Sequence, residues 1–384
     1  MMFLQFFVWG AWFVTVGSYL GRIGFSGAEI GTAYLTNNLA AIISPLLIGM
    51  VADRYFSSQK VMGILHLLGA GIMYSATGVT DTWTLIFIFL IYNICYMPTL
   101  ALVNNISFQQ MENPDNDFPG IRVWGTIGWI IAGLSISFVL APYFDDVEHT
   151  AMPMKMAAVI SILLGIYSFT LPHTPPKNTE ENSSVMDILG LKTIRLMHDR
   201  SFSVFVICSL LISIPLAFYY SFTNLFLNDL GMQNVAATQS LGQMSEIVFM
   251  ILMPWFFIRL GVKKMLLIGM IAWVLRYALF ALGNTDALMW MLLFGILLHG
   301  VCYDFFFVAR QIYVDKQAPK EIRASAQGFI TLITYGIGIG IGSVISGYVL
   351  DLFTMESIRD WASFWWIPAI FALIVSIIFA FTFQ

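Results

Sequence analysis

Long apolar stretches separated by short polar segments run along the whole chain. Twelve of them approach the length of about 20 residues that a helix needs to cross the hydrocarbon core of a membrane. Because lipid offers the backbone no hydrogen-bond partners, each stretch is predicted to be a helix. Their bounds are 3–20, 29–52, 61–79, 82–105, 120–142, 153–172, 202–227, 236–259, 264–283, 286–313, 324–350 and 362–382.

The composition agrees with an all-α membrane protein. Hydrophobic residues make up 59% of the 384 residues and charged residues only 10%, whereas soluble domains carry about 25% charged residues. The net charge of −4 says little, since the few charges lie mostly at predicted helix ends. We expect the lipid bilayer as the surroundings and no nucleic acid as a partner.

The residues show no sign of enzyme chemistry. Cys95, Cys208 and Cys302 all lie within apolar stretches and are predicted to be buried free thiols, without the spacing of a metal site. The motifs HExxH and GxSxG are missing from the sequence. We therefore expect a protein that is not an enzyme and has neither metal nor cofactor. The loops are also too short for the signalling domain of a receptor.

Lys and Arg are concentrated on one side of the predicted membrane. Thirteen lie in one set of alternating loops and three in the other, which places both termini in the cytoplasm and is typical of an inner or plasma membrane protein. The thirteen are Arg54, Lys60, Lys177, Lys192, Arg195, Arg200, Arg259, Lys263, Lys264, Arg310, Lys316, Lys320 and Arg323, and the three are Arg22, Lys155 and Arg359.

A single long polar stretch, 173–200, divides the chain into two halves of six predicted helices. Its 188–197 part has the pattern of an amphipathic surface helix. The halves echo each other, because Ile121-Arg122 opens the fifth apolar stretch and Ile322-Arg323 opens the eleventh. We therefore predict an N-terminal bundle at 1–172, a cytoplasmic linker at 173–200 and a C-terminal bundle at 201–384. Two six-helix pseudo-repeats are the architecture of the major facilitator transporters.

Four ionisable residues interrupt otherwise apolar stretches: Arg122, Glu246, Arg276 and Asp304. A charge at membrane depth is costly and usually faces a partner or a water-filled cavity. The four therefore mark a candidate polar path through the protein.

Glu246 belongs to a polar face of the eighth stretch. Gln239, Gln243 and Glu246 are spaced i, i+4 and i+7, which places them on one side of a helix. Three roles for Glu246 stay open: a proton carrier, an acceptor for the substrate, or half of a buried pair with Arg276.

Asp304 has no basic residue within one turn on its own predicted helix. Because burial disfavours the charged form of an isolated carboxylate, such a group can take up and release a proton. Asp304 is the first candidate for proton coupling or ribose binding, and the alternative is a carboxylate that caps backbone groups. His299 and Tyr303, one turn apart, are further candidates on the same stretch.

Two levels of family resemblance can be named. Residues 49–54, with Lys60 after them, resemble the loop between helices 2 and 3 of the major facilitator superfamily, in which Asp53 and Arg54 would latch the cytoplasmic side in one conformation. More closely, the chain resembles the bacterial nucleoside:proton symporter family. The segments that carry this resemblance are 3–6 with 9–10, 96–100, 121–128, 245–246 with 272–276, and 303–306 with 322–328.

The resemblance implies proton-driven uptake of nucleosides by alternating access in a functional monomer. It also implies that Arg122, Thr126 and Trp129 line a substrate cavity, in which Trp129 would stack on the base. Tyr220 and Asn224 form a further polar cluster on the seventh stretch, together with Tyr219. We expect Arg122, Thr126 and Trp129 to face a second group across one central cavity. This second group consists of Gln243, Glu246 and Asp304.

The glycines of the eleventh stretch, at 336, 338, 340, 342 and 347, form overlapping GxxxG patterns and are predicted to allow close helix packing.

The alternative function is that of a proton symporter for a sugar or another polar metabolite. Such a protein would use the same residue types in its binding site.

Overall fold

The structure is a computed structural model that describes residues 1–44, 56–176 and 191–383. Within these ranges the protein is nearly all helical, and its one sheet is a short hairpin of β1 (Thr354–Met355) and β2 (Ile358–Arg359). Residues 45–52 of the second predicted helix lie outside the described residues, as do Asp53 and Arg54.

The helices up to residue 176 are α1 (Met2–Trp12), α2 (Val16–Arg22), α3 (Gly27–Ser44), α4 (Ser58–Ala76), α5 (Thr82–Gln109), α6 (Pro114–Ser135) and α7 (Met152–Ser168). Those after residue 191 are α8 (Arg200–Asp229), α9 (Val235–Leu282), α10 (Met289–Leu297), α11 (His299–Cys302), α12 (Ala309–Gln317), α13 (Arg323–Thr331), α14 (Ile339–Leu352) and α15 (Trp361–Thr382).

Eight helical runs of the described residues are long and apolar enough to cross a membrane. The polypeptide is therefore a multi-pass membrane protein. The runs are Met2–Arg22, Thr82–Gln109, Asp117–Leu140, Arg200–Asp229, Val235–Leu282, Met289–Gln317, Ser325–Leu352 and Trp361–Thr382. The shorter α7 is also apolar, with 17 residues.

The chain divides into two compact units. The first consists of Met1–Asn182 and Asn234–Ser240, and the second of Ser183–Gln233 and Leu241–Gln384. The short segment Leu191–His198 in the second unit forms a 3₁₀ helix. The amphipathic helix predicted for 188–197 is described from residue 191 onward, and this part is helical, wound as a 3₁₀ helix.

Aspartates begin three of the longer helices. The Thr84 amide donates to Asp81 Oδ2 over 2.9 Å, the Phe202 amide to Asp199 Oδ1 over 2.8 Å and the Ser363 amide to Asp360 Oδ1 over 3.1 Å. Side-chain and backbone hydrogen bonds from Thr84 and Ser363 lower the pKa of Asp81 and Asp360. Both caps therefore stay charged at neutral pH, where they stabilise the helix N-termini.

The long helix α9 contains a break at Gly261. Its backbone has φ 68° and ψ 174°, a conformation that glycine adopts without the steric cost of a Cβ. The break falls between the stretches predicted to end at 259 and to begin at 264, so one run of helix holds both of them.

Three of the predicted helices contain π-helical turns among the described residues, and the stretch 120–142 has its turn near its end, at Ile136–Leu140. The stretch 286–313 contains one at Tyr303–Val308, and the stretch 324–350 contains one at Leu332–Gly338. A π turn accommodates an extra residue and rotates the residues that follow to a different face. Hydrophobic periodicity does not reveal such a turn, so the sequence predicts helices over these stretches without locating the π turns.

The close packing predicted for the glycine-rich stretch is confirmed at α14. A Cβ on Gly342 would lie 2.5 Å from the Ile214 carbonyl oxygen and 2.8 Å from the Ala217 Cβ of α8. Only a glycine lets the two backbones approach this closely.

Gly342→Ala is expected to destabilise the protein by about 1–3 kcal/mol, the usual cost of an extra methyl group in a tightly packed interior. The measurement is the melting temperature of the purified protein in detergent. Gly71→Ala is the matched control, because a Cβ at that helical position would meet no atom within 4 Å. Equal melting temperatures for the two variants would contradict the packing argument.

Candidate functional site

Glu246 and His299 meet inside the second unit. Glu246 Oε2 lies 3.9 Å from His299 Nε2, and both residues are buried. The ring of His299 stacks on Tyr219, at 5.4 Å between centroids, and on Tyr303, at 5.8 Å. Its Nδ1 is buried and has no hydrogen-bond partner among the described residues. The pair thus places the Glu246 carboxylate, a hydrogen-bond acceptor, beside an imidazole ring whose Nδ1 has no hydrogen-bond partner among the described residues.

Small residues bring this pair together. The Gly300 amide donates to Ser245 Oγ over 2.9 Å, and a Cβ on Gly300 would lie 2.6 Å from the Ser245 carbonyl oxygen. On the facing helix, a Cβ on Gly242 would lie 3.1 Å from the His299 Cβ. Because both glycines lack a side chain, α9 and α11 approach closely enough for Glu246 to reach His299.

Asp304 is fully buried in the π-helical turn Tyr303–Val308. Neither of its carboxylate oxygens has a hydrogen-bond partner among the described residues. The alternative prediction, a carboxylate that caps backbone groups, is therefore wrong for this conformation. Burying a carboxyl group without a hydrogen-bond partner costs less free energy when the group carries a proton, because only the charged form loses strong hydration.

Side-chain hydrogen bonds join the segment Tyr303–Arg310 to the π-helical turn Leu332–Gly338. The Tyr335 hydroxyl donates to the Tyr303 hydroxyl over 2.9 Å, and Arg310 donates from a terminal nitrogen to Thr334 Oγ1. Arg310 is fully buried, and its guanidinium carbon lies 4.8 Å from the centroid of the Phe307 ring. Its predicted place in a loop was wrong, because the helix continues to Gln317 and turns Arg310 inward.

Arg276 does not form the hydrogen-bonded pair with Glu246 that the sequence left open. Its Nε donates to the Gly295 carbonyl oxygen over 3.0 Å, and its guanidinium carbon lies 4.2 Å from the centroid of the Tyr219 ring. Both terminal nitrogens are buried and lack a hydrogen-bond partner in the described part of the chain. Arg276 therefore lies against Tyr219, one of the aromatic rings that surround His299.

The other candidate site residues of the second unit are Tyr220, Asn224 and Gln243, and they differ in burial and contacts. Tyr220 is half-buried, and its ring lies edge-on to His299 at 6.4 Å between centroids. Asn224 is buried and accepts a hydrogen bond at Oδ1 from Asn228 over 3.0 Å. Gln243 is half-buried, about one turn before Glu246 on α9. Tyr220 thus joins the His299 group, whereas Asn224 interacts along its own helix.

Arg122, Thr126 and Trp129 follow one another along α6 in the first unit, each half-buried. The Arg122 guanidinium carbon lies 4.3 Å from the centroid of the Phe6 ring. Trp129 makes an edge contact with Trp9 at 5.5 Å between centroids. Both side chains therefore rest on α1 and keep part of their surface exposed.

Two residues near the candidate site, Arg310 and Tyr335, were not predicted from the sequence to lie there. Arg310 is buried and Tyr335 is half-buried, both through contacts between residues far apart in the chain. A signal for Arg310 existed, since it directly follows an apolar run. Of the three thiols, Cys208 and Cys302 are free and buried as predicted, but Cys95 is only partly buried.

Comparison with known proteins identifies the family of this chain. All 384 residues match the sequence profile described as "Nucleoside H+ symporter". The chain belongs to the nucleoside H⁺ symporter family. It is therefore a transporter and not an enzyme, and it moves nucleosides in a proton-coupled manner.

Individual relatives are similar over almost their whole length. The putative nucleoside transporter YegT of Escherichia coli is 42% identical, with 100% of this chain and 92% of YegT covered. The xanthosine permease of Escherichia coli is 32% identical, with 100% and 94% covered. A crystal structure of the nucleoside transporter NupG superposes with a TM-score of 0.90 at 34% identity, covering 100% of this chain and 97% of that one. The alternative of a sugar symporter is not supported by the family match.

Proposed function

We propose that the symporter binds a nucleoside through two groups of residues and couples its movement to a proton held by Asp304. The first group is Arg122, Thr126 and Trp129 on α6. The second group is Tyr220, Asn224, Gln243, Glu246, His299, Tyr303 and Asp304. Glu246 is the second candidate for a proton carrier.

The observation that carries the coupling proposal is the environment of Asp304. Both of its oxygens are buried and have no hydrogen-bond partner among the described residues. The carboxylate therefore has no donor to compensate its charge in this conformation, and binding a proton removes the cost. A group whose charge depends on its exposure can link proton binding to a change of conformation.

The chemistry of a nucleoside fits the residues of both groups. Its flat base calls for an aromatic face, and base–aromatic stacking contributes about 1–3 kcal/mol per base. Trp129 and Tyr220 are half-buried aromatic side chains that could supply this face. The ribose hydroxyls need acceptors and donors, which Glu246, His299 and Arg122 provide.

We also propose the complete architecture of the protein. Twelve membrane-spanning helices would form a bundle at 1–172 and a bundle at 201–384, joined by the cytoplasmic linker 173–200. The distribution of Lys and Arg supports cytoplasmic termini in a bacterial inner membrane. Asp53 and Arg54 would act as a conformational latch, and one copy of the chain would suffice for transport.

Uptake of radiolabelled uridine and adenosine into proteoliposomes tests the proposed function. With the outside more acidic than the lumen, we expect accumulation above the external concentration, and a protonophore should reduce it to equilibration. Labelled ribose, which has the hydroxyls but lacks the base, is the control and should not accumulate. Accumulation that is indifferent to the proton gradient would contradict the coupling.

A further inference from the structure

A fully buried polar network joins four helices of the first unit. His66 on α4 lies with Nε2 2.8 Å from Gln5 Oε1 of α1 and with Nδ1 2.9 Å from Ser161 Oγ of α7. Gln5 Nε2 donates to Thr99 Oγ1 of α5 over 2.7 Å. No more than 2% of the surface of any of these four residues is exposed.

The donors and acceptors determine how the network is oriented. The Thr99 hydroxyl donates to the Tyr96 carbonyl oxygen, so its oxygen accepts from the Gln5 amide. The carbonyl end of Gln5 then faces His66, whose Nε2 must carry the hydrogen. The Tyr96 hydroxyl also donates to the backbone oxygen of Gln5 over 2.7 Å. Rotating or sliding α1 would break several buried hydrogen bonds at once.

The adjacent face of α1 touches the proposed substrate residues. Phe6 lies beneath the Arg122 guanidinium group, and a Cβ on Gly10 would lie 3.0 Å from Trp129 Cγ. Trp9, whose ring contacts Trp129, also lies 5.9 Å from the Tyr96 ring between centroids. The position of α1 therefore determines where both Arg122 and Trp129 rest.

We propose that His66 and Gln5 are positioning residues for nucleoside recognition. They hold α1 at one rotation and depth, and α1 in turn holds the Trp129 ring and the Arg122 guanidinium group in place. Neither residue touches the nucleoside itself. This inference rests on the proposed function, because it assumes that Arg122 and Trp129 contact the substrate.

His66→Leu removes both hydrogen bonds of the ring, whereas His66→Gln retains an N–H that can reach Gln5. We expect His66→Leu to weaken nucleoside binding about tenfold, the scale of one lost buried hydrogen bond. The ratio of uridine to adenosine affinity should change as well, because a displaced Trp129 meets the two bases differently. His66→Gln should restore most of the affinity. The measurement is equilibrium binding to the purified, folded protein.

A double-mutant cycle separates positioning from a general loss of stability. In a Trp129→Leu background, the further effect of His66→Leu on affinity should be smaller than in the wild type, because only Arg122 is then left for α1 to position. Gln59→Leu is the matched control on the same helix: the Gln59 side chain contacts Thr174 and His173, and its loss should leave affinity unchanged. If His66→Leu does not fold, Ser161→Ala replaces it and should change affinity in the same direction by a smaller factor.

Additive effects of His66→Leu and Trp129→Leu, or wild-type affinity in His66→Leu or in Ser161→Ala, would overturn the positioning role. A wild-type protein that binds neither nucleoside would instead refute the proposed function. A second readout is independent of substrate: hydrogen exchange of the α1 backbone should accelerate in His66→Leu and not in Gln59→Leu. Unchanged exchange in α1 would also count against the inference.

Discussion

Asp304→Asn is expected to abolish nucleoside accumulation against a concentration gradient while leaving nucleoside exchange intact. Asparagine has the size of a protonated aspartate but takes up no proton, so it imitates one state of the carrier permanently. Proteoliposomes with an imposed proton gradient should therefore only equilibrate labelled uridine. Exchange of internal unlabelled for external labelled uridine needs no net proton movement, and it should persist.

Asp286→Asn is the control for this experiment, because Asp286 is exposed in the loop before α10. It should accumulate uridine like the wild type. Concentrative uptake by Asp304→Asn at the wild-type level would rule out Asp304 as the coupling group. If Asp304→Asn loses both exchange and accumulation, Asp304 is assigned to substrate binding instead.

Glu246→Gln is expected to weaken nucleoside binding by a factor of about ten to one hundred. Hydrogen bonds to a charged group contribute about 1.5–3 kcal/mol, and a neutral amide accepts a ribose hydroxyl or a base N–H more weakly. The substitution hardly changes the volume, so the packing of α9 against α11 should be retained. Binding of labelled uridine or adenosine to the purified protein measures the effect.

Glu148→Gln provides the comparison for a buried carboxylate with a structural role. Glu148 Oε1 accepts a hydrogen bond from the Ala236 amide over 2.8 Å, so its replacement should lower the melting temperature and leave affinity unchanged. If Glu246→Gln behaves like Glu148→Gln, Glu246 is structural and the second group of site residues loses its main acceptor.

Much of the candidate site could be predicted one helix at a time. The spacing of Gln239, Gln243 and Glu246 indicated a polar face, and Asp304 stood out as a charge in an apolar stretch. The contact between Glu246 and His299 could not be predicted in the same way, because it depends on Gly242 and Gly300 letting two helices approach. For the same reason the sequence suggested Arg276, which in fact hydrogen-bonds the Gly295 backbone, as the partner of Glu246.

The amino-acid sequence alone is enough to recognise a helical membrane transporter of the nucleoside H⁺ symporter family. Hydropathy and stretch length are sufficient for the helical membrane class, since a backbone in lipid must satisfy its own hydrogen bonds, and the family follows from the segments that resemble it. The pairing of the buried polar groups, in contrast, depends on the tertiary structure. The tertiary structure inserted π-helical turns around Asp304 and Tyr335, turned Arg310 inward, and joined Gln5, His66, Thr99 and Ser161 across four helices. These contacts join residues up to 95 positions apart in the chain, whereas hydrophobic periodicity describes only the neighbours within one helix.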